Sequence, residues 1–234
     1  MAKAAILEKV GGLTIGEVEL ADPGPHEVLI DTKACGLCHS DLHFIDGAYP
    51  HPLPAIPGHE AAGVVRAVGS EVKTVKPGDH VVSCLSVFCG HCEFCVTGRM
   101  ALCLGADTRR SADQTPRIIR SIDKTPVGQM LNLSAFCEQM LIHENACVAI
   151  DKDMPLDCKV GLGAMDLLSG KKLQGAIMGM NHFPVDLPRL VDFYMRGLLD
   201  LDTIIAERIP LEKINEGFEK MKQGTSARSV VVFD

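Results

Sequence analysis

Four cysteines lie in one short stretch of the chain, residues 89–103, whose sequence is CGHCEFCVTGRMALC. They are Cys89, Cys92, Cys95 and Cys103, and this close spacing lets four thiolates converge on one metal ion. Coordination by sulfur alone is typical of structural zinc, because four protein ligands leave no open position for a substrate. We therefore predict a structural-zinc lobe over residues 88–104.

Two disulfides are the alternative to zinc for these four cysteines. Disulfides persist mainly in oxidising compartments, and Met1–Val10 does not resemble the apolar segment of a secretory signal. We therefore expect a cytoplasmic chain with reduced thiols, in which the four cysteines hold zinc.

Length and composition restrict the classes of function. The chain has 234 residues, 47% hydrophobic content and a formal charge of −7. It contains no apolar run near the roughly 20 residues that a membrane helix needs, and phosphate binding requires clustered positive charge. We expect one domain with no membrane or nucleic-acid partner.

The apolar runs predict a mainly β fold with short helices, of barrel or sandwich type. Helices are expected over Cys38–Ile45, over Leu187–Arg196 with Asp186 as its cap, and between Pro210 and Gly224. The predicted strands are Lys3–Leu7, Leu13–Leu20, Glu27–Ala34, Glu60–Val68, His80–Cys84, Phe136–Ile142 and Cys147–Ile150.

A second set of residues offers a metal site that can react. Cys38 and His59 supply a thiolate and an imidazole, the mixed ligands expected of catalytic zinc. Taken alone, a buried thiol and a surface histidine are the commoner interpretation of such residues. Ser40 and His43 follow Cys38 on a predicted helical turn, where they can pass a proton to solvent.

These segments resemble the zinc-dependent alcohol dehydrogenases of the medium-chain dehydrogenase/reductase superfamily. The resemblance implies a GroES-like barrel catalytic domain that carries a structural-zinc lobe. It extends over nearly the whole chain, through residues 36–41 (GLCHSD), 57–65 (PGHEAAGVV), 75–81 (VKPGDHV), 88–104 and 214–218 (INEGF).

The resemblance also implies roles for particular residues. Cys38 and His59 match catalytic zinc ligands, the four cysteines of the lobe match structural ones, and Ser40 and His43 match a proton relay. The other matches are His39 and Arg228 at the cofactor's pyrophosphate, and Leu85 and Phe136 in the substrate pocket. The implied reaction oxidises a small alcohol to an aldehyde or ketone by hydride transfer to NAD or NADP.

One feature departs from the family pattern, because the nucleotide-binding Rossmann domain is missing. We expect residues 1–158 and 165–234 to form a single catalytic domain, with residues 159–164 as a short joint. The glycines of the joint, Gly161 and Gly163, lack the third glycine of a dinucleotide fingerprint. Hydride transfer is therefore expected to be very weak or absent.

The same departure removes the family's third protein ligand for catalytic zinc. Three replacements remain open, namely Cys158, Glu60 and a second water. Cys158 is alternatively a buried thiol without metal, and Glu60 a residue that orients His59 or the relay.

Two other functions are carried as alternatives. The first is a non-catalytic zinc-binding module left by an engineered domain deletion, and the second is a residual hydrolase that uses zinc hydroxide. Removal of a domain also predicts self-association through uncovered apolar residues, namely Ile177, Met178, Met180, Phe183 and Tyr194.

Overall fold

The computed structural model describes residues 1–105, 108, 114, 116–155, 182–226 and 228–233. These residues form twelve β-strands and four α-helices, connected by turns and short 3-10 segments. The helices are α1 (His39–Ile45), α2 (Glu93–Val96), α3 (Phe183–Met195) and α4 (Ile214–Lys222). The strands are β1 (Ala2–Lys9), β2 (Gly12–Leu20), β3 (Glu27–Gly36), β4 (Ala55–Ile56), β5 (Ala61–Val68), β6 (His80–Ser83), β7 (Ile118–Arg120), β8 (Gly128–Gln129), β9 (Gln139–His143), β10 (Cys147–Ala149), β11 (Glu207–Ile209) and β12 (Ser229–Val232).

The strands belong to two sheets. One sheet has the order β7-β2-β1-β4-β8, and the other has the order β10-β6-β5-β3-β12-β11, with β9 also paired to β3. The long strand β3 pairs with β5 along one side. Its other side pairs first with β9 and then, at its carboxyl end, with β12. The predicted mainly β fold with short helices is therefore confirmed.

One hydrophobic core joins the two sheets. It contains Ile6 of β1, Ile30 of β3, Ile142 of β9 and Val231 of β12, each at most 1% exposed. Burial alternates along most of β3, as the period of a strand requires when one face packs on a core. The backbone N–H of Ala5 also donates to the carbonyl of Phe136 at 2.8 Å, which ties β1 to the segment before β9.

The C-terminal segment completes this core rather than lying beside it. The Asn215 side chain accepts from the N–H of Leu13 at 3.1 Å and donates to its carbonyl at 2.9 Å. The Phe218 ring meets the Phe136 ring edge-on, with centroids 6.0 Å apart. Residues from both ends of the chain therefore share one interior.

Several predicted boundaries were wrong. α3 begins at Phe183 rather than Leu187, because Pro184 occupies its first turn, where the missing N–H of proline costs no hydrogen bond. Asp186 lies inside the helix, and its carboxylate accepts from the N–H of His182 at 2.8 Å. The strand predicted from Phe136 begins at Gln139. The strands β4, β7, β8 and β11 were missed because two or three residues are too few to show a period.

Some predictions fall where the structure describes nothing. Cys158, the joint at 159–164, and Ile177, Met178 and Met180 lie outside the described residues. The expectation of an exposed Phe183 is wrong, because this side chain is 1% exposed and its ring contacts that of Phe88. No helix within the described ranges is long and apolar enough to cross a membrane.

The Phe218 contact generates a stability prediction. Phe218→Ala should lower the free energy of unfolding by about 3–5 kcal/mol, because it removes a buried ring and leaves a cavity. Urea denaturation measures this loss. The matched control is Phe193→Ala, which truncates a ring that is 41% exposed and should change stability by less than about 1 kcal/mol. Equal small losses in the two variants would contradict a shared core.

A second prediction concerns Glu144, whose side chain is buried and makes three hydrogen bonds. Its carboxylate accepts from His26 at 2.9 Å, from the Lys73 N–H at 3.2 Å and from the Thr74 hydroxyl at 3.1 Å. Burial raises the pKa of Glu144, but these hydrogen bonds outweigh it and bring the pKa below its ordinary value. A lowered folded-state pKa stabilises the protein above the unfolded pKa, and this stabilisation disappears as pH falls through the folded value.

We therefore expect Glu144→Gln to cost about 1.5–3 kcal/mol at neutral pH, since a charged hydrogen-bond acceptor is lost. The difference from the parent chain should shrink as pH falls below about 4.3. Chemical denaturation at several pH values measures both effects. The exposed Glu71, changed to Gln, is the control, and a Glu144→Gln deficit that persists undiminished in acid would contradict the prediction.

Candidate metal centres

The four cysteines of the lobe lie at the spacing of a tetrahedral zinc site. Their sulfurs are 3.5 Å apart for Cys92 and Cys95, 3.9 Å for Cys92 and Cys103, and 4.0 Å for Cys89 and Cys95. Zn–S bonds of about 2.3 Å in a tetrahedron place the sulfurs about 3.8 Å apart. A disulfide needs about 2.05 Å. The donor set therefore fits zinc and does not form disulfides.

Short local elements of the lobe hold these sulfurs. The helix α2 begins directly after Cys92 and contains Cys95. Backbone N–H groups donate to the sulfurs, from Cys89 to Cys103 at 3.2 Å and from Cys92 to Cys89 at 3.4 Å. Hydrogen bonds, first from the Cys95 backbone, lower the pKa of Cys92 to about 6, whereas burial raises the pKa of its neighbour Cys95 to about 12. N–H donors of this kind favour the thiolate form that binds metal.

A second cluster brings together Cys38, His59 and Glu60, whose ligand atoms lie within 4.8 Å of one another. Cys38 is the residue before the first turn of α1. His59 follows Gly58, whose φ of +95° is disfavoured for residues with a side chain. A Cβ at Gly58 would lie 2.6 Å from the backbone nitrogen of Phe136, so the turn is packed tightly behind His59.

Asp41 orients this cluster, although no sequence pattern above predicted a role for it. Its carboxylate is fully buried and accepts from the N–H of Cys38 at 3.3 Å and of Gly58 at 3.1 Å. It also lies 3.0 Å from Nδ1 of His59. An imidazole that donates from Nδ1 keeps Nε2 as its ligand atom. An acidic residue three positions after the helix cap was the sequence signal, because it indicates a capping box.

The cluster shifts the pKa values of its own ligands. Burial raises the pKa of Cys38, but hydrogen bonds from His59 and Ser40 outweigh it and lower the pKa overall. Burial lowers the pKa of His59, yet its hydrogen bonds to Asp41 and Cys38 raise it to about 10. Both shifts are toward the charged forms of the two groups. A metal ligand must be deprotonated, so metal binding at this pair would be accompanied by proton release.

Arg228 lies directly against this cluster. Its Nη1 donates to Oε2 of Glu60 at 3.1 Å, and both side chains are 29% exposed. The strand β12 brings Arg228 there, because the Ser229 carbonyl accepts from the N–H of Leu37, next to Cys38. The predicted cofactor contact and the predicted replacement ligand are thus paired with each other.

The other predicted site residues have different settings. On α1, His39 and His43 are exposed and Ser40 is half-buried, and the His43 ring lies 5.0 Å from that of Tyr49. Leu85 is partly buried against the core. Phe136 is fully buried and packs against Gly58 and Phe218, and its place in a substrate pocket stays a prediction.

The cysteine geometry predicts the effect of removing one thiol. Cys92→Ser should reduce bound zinc by one equivalent and destabilise the lobe, because a serine hydroxyl binds zinc poorly. Elemental analysis of folded protein measures the zinc. Val96→Ser, at an exposed position of the same lobe, is the control and should keep the full zinc content. Unchanged zinc in Cys92→Ser would contradict the four-cysteine site.

The position of Asp41 predicts that removing its charge weakens metal binding at Cys38 and His59. Asp41→Asn should lower metal affinity at Cys38 and His59 by about 10–100-fold, the usual effect of losing a residue that orients a ligand. Titration against a zinc chelator measures the affinity. Asp46→Asn is the control, since Asp46 lies just after α1 in an exposed ion pair with Lys222. Equal affinities for the two variants would contradict the orienting role.

Comparison with known proteins identifies a family model and several proteins that this chain resembles. The family model of the alcohol dehydrogenase GroES-like domain matches residues 24–152. A putative alcohol dehydrogenase D of Mycobacterium tuberculosis is 40% identical over 68% of this chain and 44% of its own length. The NDMA-dependent alcohol dehydrogenase of Amycolatopsis methanolica is 42% identical over 69% of this chain and 44% of its own length. The chain thus spans less than half the length of these curated relatives.

Solved structures share the fold at lower identity. An alcohol dehydrogenase zinc-binding domain protein from Burkholderia ambifaria has a TM-score of 0.85 at 22% identity, with 100% of this chain and 99% of that chain covered. Benzyl alcohol dehydrogenase from Acinetobacter calcoaceticus has a TM-score of 0.83 at 18% identity, with the same coverage. Because the family model covers more than half of the chain, the chain belongs to the alcohol dehydrogenase GroES-like domain family, among the zinc-type alcohol dehydrogenases of the medium-chain dehydrogenase/reductase superfamily.

Proposed function

We propose that this chain is the catalytic domain of a zinc-dependent alcohol dehydrogenase, in which hydride transfer to NAD or NADP is very weak. The observation that carries the proposal is the convergence of Cys38, His59 and Glu60, with Asp41 orienting the imidazole. The curated relatives are named as alcohol dehydrogenases, which supports a small alcohol or aldehyde as substrate.

Zinc bound at this cluster would act as a Lewis acid that polarises the substrate oxygen. Cys38 and His59 hold the metal in the proposal, and Glu60 supplies the third protein ligand. Cys158 remains a proposed alternative, at a position outside the described residues. The four cysteines of the lobe hold a second, structural zinc.

Ser40 and His43 move the proton that an alcohol must lose. Ser40 is half-buried, and its hydrogen bonds are among the causes that lower the pKa of the Cys38 thiol, which supports a position beside the cluster. His43 is exposed one helical turn further along α1 and can exchange a proton with water. This order, from a half-buried hydroxyl to an exposed imidazole, is suited to carrying a proton outward.

The weak step is cofactor binding. His39 is exposed on the first turn of α1, and Arg228 already donates to Glu60, so these two residues offer only isolated contacts to a dinucleotide phosphate. The sequence contains no G-x-G-x-x-G motif, which normally places a pyrophosphate at a helix terminus. Leu85 is the proposed substrate contact.

Zinc content and turnover together test the proposal. We expect two zinc ions per chain, one in Cys38→Ser, and a slow NAD-dependent alcohol oxidation that Cys38→Ser abolishes. One zinc ion, unchanged by Cys38→Ser, would contradict the proposal and leave a non-catalytic zinc-binding module. Ester hydrolysis that needs no nicotinamide and is lost in His59→Ala would instead indicate a hydrolase.

A further inference from the structure

The helix α3 packs on the core along one side. This inner side consists of residues that are buried or partly buried against small apolar clusters, namely Phe183, Leu187, Val191 and Tyr194. They recur at intervals of three or four, which places them on one side of a helix. Tyr194, expected above to mediate self-association, therefore packs on its own chain, and its hydroxyl donates to Asp202 at 3.1 Å. The opposite side of α3 faces away from these clusters.

This opposite side of α3 combines charged and apolar side chains. Exposed residues at intervals of four, three and four form one outer stripe, which consists of Val185, Arg189, Asp192 and Arg196. Phe193 and Met195 flank the outer stripe and are 41% and 42% exposed. Exposed apolar side chains beside polar ones are a common mark of an interaction surface.

The charges of the outer stripe have mixed signs. The Asp192 carboxylate accepts from Nη1 of Arg196 at 3.2 Å, one helical turn away. Arg189 has no ion pair among the residues that the structure describes, so its charge is available to another molecule. A uniformly acidic or basic partner would meet a like charge on this stripe. The outer stripe therefore favours a partner whose surface is also mixed in sign.

We propose that the outer stripe of α3 joins two copies of this chain, which pair about a two-fold axis with their helices antiparallel. A two-fold interface brings the same patch of both copies together, so the patch must complement itself. The outer stripe does so in the register that places Arg189 of each copy opposite Asp192 of the other copy. Val185 then faces the aliphatic stem of Arg196, which covers apolar surface on both side chains.

This register also uses most of the helix. It aligns residues 186–195 of the two copies, which span about 15 Å of helix at 1.5 Å per residue. A register that placed Arg189 opposite Arg196 would bring like charges together twice. One helix pair of this length remains below the roughly 1,600 Å² of a standard interface. The dimer is therefore weak, with a dissociation constant between about 1 μM and 1 mM.

Sedimentation equilibrium of the full chain at several concentrations measures this dissociation constant. Arg189→Glu and Asp192→Arg should each weaken the dimer about tenfold, because each substitution turns two attractive contacts per dimer into repulsive ones. The double variant exchanges the two charges and should recover the parent affinity. Such a recovery would show that the two side chains face each other across the interface.

Two matched controls make the same charge changes on other elements. Arg66→Glu alters an exposed ion pair with Asp31, and Asp46→Arg alters an exposed ion pair with Lys222. These controls shift the net charge of −7 by the same amounts as the two α3 variants. Both controls should dimerise like the parent chain, which separates a local contact from general charge repulsion.

Three outcomes would overturn the inference. A chain that stays monomeric at about 1 mM forms no such dimer and leaves the outer stripe to a different partner. A dimer that neither single variant weakens uses another surface of the chain. Single variants that weaken the dimer, without recovery in the double variant, would show that the two charges do not face each other. None of these results bears on zinc content, so the metal centre of the proposed function is tested separately.

Discussion

The buried carboxylate of Asp41 is the interaction on which the reactive end of this domain depends. A fully buried charge is very costly unless hydrogen bonds satisfy it, and Asp41 has donors from Cys38, Gly58 and His59. These donors come from two separate segments of the chain. The segments meet because β3 ends and β5 begins side by side, with Cys35 opposite Ala61. The pairing of two central strands thereby sets the geometry of the metal ligands.

The two candidate metal centres differ in how they are built. The cysteine lobe is local, since all its sulfurs belong to residues 89–103 and several of its hydrogen bonds run between neighbouring residues. The Cys38–His59–Glu60 cluster is assembled from distant segments, and Arg228 reaches it from the end of the chain. A change in the sheet would therefore disturb the second centre while leaving the ligand spacing of the first intact.

Sequence patterns located many of the elements, for identifiable reasons. The long strands β1, β2, β3 and β5 show an apolar or alternating period, so their positions were predicted within a few residues. The start of α3 was misplaced, because Asp186 was predicted as its cap, whereas the helix begins earlier, with Pro184 in its first turn. Asp41 was missed as an orienting residue, because only the fold brings Gly58 and His59 onto its carboxylate.

The sequence by itself determined the two groups of candidate metal ligands, because ligand chemistry depends on residue type and on spacing along the chain. It also determined the mainly β character, because strand period is a local property. Only the tertiary structure decided that Phe136 is sealed in the core and that Arg228 pairs with Glu60. Those contacts join residues far apart in the chain, and their distances follow from sheet register and packing, which no local pattern encodes.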